Sequence, residues 1–503
     1  MSTTLNPRAE LSWPGIAHST RKLGDQLAQE RRLYFLDFPL LLLSVGLITW
    51  MIPTDPMLLL SSLVGSSVGL YTLWGIAIRR GPIRFSHLIC ISNTVGYCLG
   101  VVNSWLTIQR GDLTLAAYFH RDPEAVSHAM AAVLISSGIL YALGEIFETP
   151  IFGQNFLLPL DNRAALFVPL GTALVIVGYI TGQLGYMGAT AAANGGHMSI
   201  LGGALGWLFP TLFAFTCICI LEWPKGMMRR IFAVMLAIQF LLIVPMGRRN
   251  LVYFVLLGVI ATRFSSFKPK WSFPRKAVYA AIVLVVVGVG ATAFYYLRYA
   301  SYGKHRVSLV DRISLAWTLF ESGNTTKANE SLKSNLQKRT FVLGFVSDLL
   351  DASFRIEPAE GRNALHEFQL VIPSALWADK STFLYTEESV ANTTYGFNYK
   401  DEANSLYSAG AIDFGIWGMI IYPIVISALF RLMAEIMRVN MPEVVATLVV
   451  LFLAYNALLT EAGLWIHFLA IRDSLLYAAF LYALFRIPEF SFSRQFEKGA
   501  VFQ

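Results

Sequence analysis

Leu241-Leu242-Ile243-Val244-Pro245-Met246-Gly247-Arg248-Arg249-Asn250 is the stretch on which the topology of this chain turns. It closes one apolar segment, residues 230–246, and opens a shorter one, residues 250–263, almost without a connection. Proline lacks a backbone donor and glycine tolerates helix-breaking conformations. Residues 230–263 therefore read as a tight helical hairpin, or as one long helix broken at Pro245 and Gly247. The hairpin gives twelve membrane crossings. The single helix inverts everything downstream.

Working outward, the other apolar segments are 35–52, 57–78, 86–105, 126–148, 164–186, 201–221, 276–297, 411–434, 443–460 and 465–486. Many approach the length needed to cross a bilayer. Hydrophobic residues make up 55% of the 503, only 14% are charged, and the mean hydropathy is +0.55. A soluble chain carries about 25% charge, so the composition predicts an all-α polytopic membrane protein. The net charge of +7 is that of cytoplasmic loops rather than of a nucleic-acid surface. The four cysteines, Cys90, Cys98, Cys217 and Cys219, all lie in apolar stretches, which argues against a disulfide-stapled exterior. Residues 1–34 are polar and end at Arg31-Arg32 before the first span, the pattern of a start-in anchor.

Charge placement favours the hairpin. With the N-terminus inside, the short inner connections carry Arg79, Arg80 and Arg84, then Arg163, Lys225 to Arg230, Arg263 to Arg275, and Arg431 with Arg438. The outer short connections carry little, and only Arg248 and Arg249 break the positive-inside bias. The expected organisation is a cytoplasmic segment 1–34, nine spans in 35–297, an extracytoplasmic loop 298–410, three spans in 411–486 and a cytoplasmic tail 487–503. The loop is patterned for helices at 309–320 and 341–354, with Asp348 and Asp351 on adjacent turns of the second.

Polar residues at membrane depth are costly and mark candidate sites. Arg248 and Arg249 read as snorkelling cations or as an anion clamp, because guanidinium matches phosphate oxygens and a broken helix exposes N–H groups to an anion. The loop opens with Tyr295, Tyr296, Arg298, Tyr299, Tyr302, Lys304, His305 and Arg306, a belt of aromatics with a basic cluster. That cluster suits a diphosphate head group or a nonspecific anionic lipid. The loop closes with Trp377, Asp379 and Lys380, then Asp401, Glu402, Asn404 and Tyr407, ahead of Gly410, Gly415 and Gly418 with Asp413 among them. Asp401 or Glu402 would supply a base for an attacking hydroxyl, or form a solvated turn. Glycines there permit close helix approach. His467, near Glu461, and His197 in a Gly-rich connection read by default as structural. No nucleotide-binding, Cys-x-x-Cys or His-Glu-x-x-His motif is present.

The layout resembles the bacterial oligosaccharide repeat-unit polymerases of O-antigen and exopolysaccharide synthesis. The resemblance rests on the dozen spans with one late outward loop. It rests also on Gly247-Arg248-Arg249-Asn250, on the Ile-Pro-Ser stretch ending in Asp379-Lys380, and on Glu402-Ala403-Asn404 leading into Gly410, Gly415 and Gly418. It covers about residues 230–435. It implies a glycosyltransferase-like membrane fold, a bacterial inner-membrane location, and a metal- and cofactor-independent transfer. A glycan on undecaprenyl diphosphate would pass to a lipid-linked repeat unit. It assigns Arg248 and Arg249 to the leaving diphosphate, and Asp401 or Glu402 to the acceptor hydroxyl. Arg298, His305, Arg306, Asp379, Lys380, Asn404, Tyr407 and Trp377 would bind substrate. A chain-length regulator and a flippase of the same pathway are the implied partners. The related O-antigen ligases share the plan and would need a loop histidine, for which His305 and His366 stand. A lipid-glycan transporter is the non-enzymatic reading, and predicts repeats with midplane sites.

Overall fold

The computed structural model describes residues 37–77, 81–108, 121–151, 162–181, 183–184, 200–265, 285–286, 288–294, 296–297, 309–322, 341–373, 376–377, 385–400 and 402–486. Among them the regular structure is helical, with no strand. In chain order the helices are α1 (Asp37–Met51), α2 (Asp55–Ala77), α3 (Phe85–Ile108), α4 (Pro123–Phe147), α5 (Asn162–Ile180), α6 (Ile200–Glu222), α7 (Met227–Ile243) and α8 (Arg248–Ala261). Then come α9 (Leu309–Glu321), α10 (Phe341–Ser353), α11 (Arg362–Leu370), α12 (Glu387–Tyr395), α13 (Leu406–Phe414), α14 (Ile416–Asn440), α15 (Glu443–Ala457) and α16 (Leu464–Arg486). Seven helices are long and apolar enough to cross a membrane, and three shorter apolar ones accompany them among the described residues. The chain is a multi-pass helical membrane protein. All four cysteines are free.

The decisive stretch reverses direction. α6 runs antiparallel to α7: Trp223 packs on Phe232, and Thr216 accepts a hydrogen bond from Gln239. It runs parallel to α8: Phe209 packs on Phe254, and Gly258 faces Phe213 and Cys217. α7 and α8 are therefore antiparallel arms of a hairpin. Its turn is a 3-10 stretch, Val244–Met246, followed by Gly247 at φ 115° and ψ 154°. That positive φ is open to glycine and strained for other residues. The far end of α8 returns to the α2–α3 connection, where Arg263 donates to the Gly81 carbonyl.

The sequence pattern placed a span at 411–434 and ended the loop at 410. The structure divides that apolar segment in two. Residues 406–414 form a separate short helix, α13, which folds back on α14 at Gly415, where φ is +58° and ψ −137°. The backbones of α13 and α14 touch where Gly410 meets Gly418, and a Cβ on Gly418 would sit 2.1 Å from the Gly410 carbonyl oxygen. The apolar run hid the turn because glycine costs nothing in the hydropathy pattern. α13 then dips inward. Its Tyr407 hydroxyl bonds Asn93 and Ser137, well inside α3 and α4, while Ser405 bonds Tyr97. Its last carbonyls, Ile412 and Asp413, accept the N–H groups of Ala359 and Glu360, which satisfies a helix end that has no internal partners. Leu406 and Ala409 enter one buried apolar cluster, Tyr407, Ala411 and Ile412 another, so α13 is a wedge between the two halves of the bundle.

The expected loop helices are present as α9 and α10. Asp348 of α10 is held by Arg121 and by the Tyr399 hydroxyl, which ties the loop to the α3–α4 connection. Its neighbour Asp351 pairs with Arg355 on the surface.

Candidate functional site

The start of α8 is clasped by the α15–α16 turn. Arg249 forms an ion pair with Glu461. The Asn250 amide nitrogen donates to the Met246 carbonyl at 2.9 Å, and its oxygen accepts from the Tyr455 hydroxyl at 3.2 Å. The Thr460 N–H donates to the Tyr253 hydroxyl. No side chain caps the α8 N-terminus. The Arg248 backbone begins that helix, and its side chain lies outside the described residues. The Arg249 side chain remains about one-third exposed, enough for a ligand to reach it.

Facing this clasp from the loop side is a group of carboxylates. Glu367 on α11 is 1% exposed, Glu387 on α12 is 2% exposed, and Asp413 on α13 is fully buried. Helix N-termini hold two of them, Glu367 and Asp413. Glu367 accepts the Trp465 N–H in the first turn of α16. Asp413 accepts the Asn363 and Ala364 N–H groups, both at 2.9 Å, in the first turn of α11, and the Tyr422 hydroxyl at 2.6 Å. Glu387 and Glu388 lie in the first turn of α12 itself. Unpaired N–H groups and the helix dipole favour negative charge at each of these places.

α11 is polar inward and apolar outward. Asn363 and Glu367 are buried, while Leu365 and Phe368 are exposed. Phe368 packs edge-on against Phe468 of α16.

Burial pushes the Glu367 carboxyl above the ordinary carboxylate range. Burial does the same to Glu387, reinforced by the adjacent Glu367. Neither Glu387 oxygen has a well-formed hydrogen bond; Glu367 and the Ser408 hydroxyl are its polar neighbours.

The predicted residues divide as follows. Arg298, His305, Arg306, Asp379, Lys380 and Asp401 lie outside the described residues. Trp377 is half-buried in the turn that follows Pro373. Arg249, Glu402 and Asn404 reach the site region. Glu402 is half-buried and its N–H points to a Glu388 carboxyl oxygen at 3.4 Å. The Asn404 side-chain oxygen is buried without a donor.

Tyr407 is corrected: its ring is fully buried among α3, α4 and α13, with its hydroxyl engaged, so it is a packing residue and not the wall of an open cavity. His467 and Glu461 have separate partners. His467 packs on Phe430, and Glu461 holds Arg249. Asp413, among the glycines that follow the loop, caps the start of α11.

Sequence reasoning missed Glu367, Glu387 and Glu388. Glu387-Glu388 after Thr386, a helix-start pattern, was the available signal for two of them; Glu367 sits in a stretch with no distinguishing motif.

Comparison with known proteins returned no matching family model, no similar curated protein and no similar solved structure.

Proposed function

We propose that this chain is a membrane-embedded glycosyltransferase. It extends a glycan held on a polyprenyl diphosphate by transferring it to a lipid-linked repeat unit, as a polysaccharide polymerase does. The orientation that goes with this reading has twelve spans, cytoplasmic termini and an outward loop over 298–410 in a bacterial inner membrane. The observation that carries it is the meeting of the two halves of the site. A helix break presents Arg249 beside an uncapped helix N-terminus, and the loop brings buried carboxylates against the adjoining turn.

The chemistry needs both halves. As the acceptor hydroxyl attacks the anomeric carbon, charge grows on the departing diphosphate and a proton leaves the hydroxyl. A fixed guanidinium favours the first change most in the transition state, and a carboxylate accepts the proton. The energy resides in the donor's sugar–diphosphate bond, which suits a chain without a nucleotide-binding motif. The outward apolar face of α11 is suited to a lipid-borne substrate.

The test is a reconstituted assay with purified protein and lipid-linked repeat unit alone. Growth of a ladder of longer glycans is expected, and Arg249→Ala, at matched abundance, should lower the rate by about 10²-fold or more. Transfer only when a lipid A core acceptor is added would replace the polymerase by a ligase, and neither product would end the enzymatic reading.

A further inference from the structure

Two phenols meet edge to edge beside Arg249, and only one of them has its proton engaged. Tyr253 on α8 and Tyr455 on α15 have ring centroids 6.5 Å apart, with their planes at 89°. The Tyr455 hydroxyl donates to the Asn250 side-chain oxygen at 3.2 Å. The Tyr253 oxygen instead accepts, from the Thr460 N–H at 3.2 Å. A phenol can accept and still has one proton to donate. The Tyr253 proton has no acceptor among the described residues. The nearby Thr460 hydroxyl is turned to Ser92, with the Ser92 hydroxyl at 2.8 Å and the Ser92 carbonyl at 2.9 Å.

Three relations bring that proton to Arg249. Arg249 and Tyr253 are four residues apart on α8, a spacing that sets two side chains on one helix face with Cβ atoms roughly 5–6 Å apart. A long helical side chain leans toward the N-terminus, over the turn before it, so the Tyr253 hydroxyl lies over the turn that carries Arg249. Their partners agree: Tyr253 meets Thr460 and Arg249 meets Glu461, adjacent residues of the α15–α16 turn. Both groups are within reach of a ligand. The Arg249 side chain is about one-third exposed, and Tyr253 is half-buried.

We propose that Tyr253 is a second group on the leaving diphosphate, donating its hydroxyl to a diphosphate oxygen while Arg249 balances the charge. This rests on the transferase reading and deepens it. The Thr460 N–H fixes the phenol oxygen, so the donor is oriented before substrate arrives and needs little reorganisation during reaction. In the step, the acceptor hydroxyl's oxygen bonds to the anomeric carbon and its proton passes to a carboxylate. The carbon–oxygen bond to the diphosphate breaks, and its electron pair stays on the diphosphate oxygen. Tyr253 keeps its proton throughout. Its hydrogen bond strengthens as that oxygen gains charge, which favours the transition state over the bound substrate.

The test reads binding and turnover separately. Binding uses farnesyl diphosphate, a short polyprenyl diphosphate, with the purified full-length protein. Turnover uses the reconstituted assay, and abundance and thermal unfolding are checked for every variant. Tyr253→Phe removes the hydroxyl and keeps the ring. It should weaken binding and lower kcat, each by about 10- to 10²-fold, the range for a hydrogen bond to a charged group. Glu461→Gln releases Arg249 and should tighten binding. Opposite shifts from two residues at one junction are not what general loosening of the fold produces.

A third variant separates donating from accepting. With 3-fluorotyrosine at position 253, the oxygen that receives the Thr460 N–H remains, and its O–H becomes a stronger donor. Farnesyl diphosphate should then bind more tightly than to wild type. If it does not, the phenol serves only as the Thr460 acceptor and the inference falls. Unchanged binding and turnover in Tyr253→Phe, or no binding of the probe to wild type, also overturns it, with the transferase reading left in place by a wild-type ladder. Absence of any ladder from wild type sinks the transferase reading, whereas probe binding that depends on Tyr253 would still establish the diphosphate contact.

Discussion

The α8 side of the site and the loop side solve opposite problems of charge. On the α8 side one arginine, Arg249, stands at a helix N-terminus, which is an unfavourable place for a cation, and Glu461 offsets it. On the loop side the buried carboxylates Glu367 and Asp413 are held by helix starts instead. Glu367 and Asp413 each accept backbone N–H groups from the first turn of a neighbouring helix. The difference teaches that this protein keeps its cation exchangeable and its carboxylates locked. An ion pair that is partly exposed yields to a competing anion at modest cost. A carboxylate bonded to a helix start cannot move without unmaking the helix junction.

The strongest way to break the comparison is to disturb the frame that holds the loop side. Gly418→Ala puts a Cβ into the Gly410 backbone. Overpacking of that kind costs about 1–3 kcal/mol and more where backbone must shift. Abundance of folded protein in membranes should fall sharply, and Gly206→Ala, which has open space at its Cβ, should not change it.

Next in size is Asp413→Ala. It strands two buried N–H groups at the α11 N-terminus and the Tyr422 hydroxyl, at about 1–3 kcal/mol for each group left unsatisfied. The thermal midpoint in detergent should drop by several degrees. An unchanged midpoint would show that helix N-termini are not what hold these carboxylates.

Smaller again is a pH effect. Burial raises both Glu367 and Glu387, so the folded protein keeps a proton that the unfolded chain has released above the ordinary glutamate value of about 4.3. Stability therefore falls as pH rises from that value toward the raised one, since the unfolded state binds fewer protons there. Glu387→Gln removes part of that slope and should make unfolding less sensitive to alkali. A slope of the opposite sign would contradict buried carboxyls that keep their protons.

Some of this architecture was legible in residue order. The helix break at Pro245 and Gly247, the helices at 309–321 and 341–353, and the close approach of the glycines at 410 and 418 all follow from local chemistry. Proline, glycine and apolar periodicity act within a few residues, and so they show in a linear string. The turn at Gly415 did not show, because residues 411–434 are as apolar as any span, with Asp413 the one charge before Arg431. Nor did the loop carboxylates. Glu367 and Glu387 are twenty positions apart and have ordinary neighbours in sequence. What distinguishes them is burial against α16 and α13, and burial is a property of the folded chain.

By itself, then, the sequence determined that this is a helical membrane protein with a broken hairpin bearing Arg248 and Arg249. Those features depend on hydropathy and backbone freedom, which each segment carries alone. Only the tertiary structure decided that α13 folds back as a wedge, that Tyr407 is core, that Asp413 serves another helix, and that Glu367 meets the start of α16. Each of these depends on a partner distant in the chain, and a charge buried in such a protein is defined by the helix that receives it.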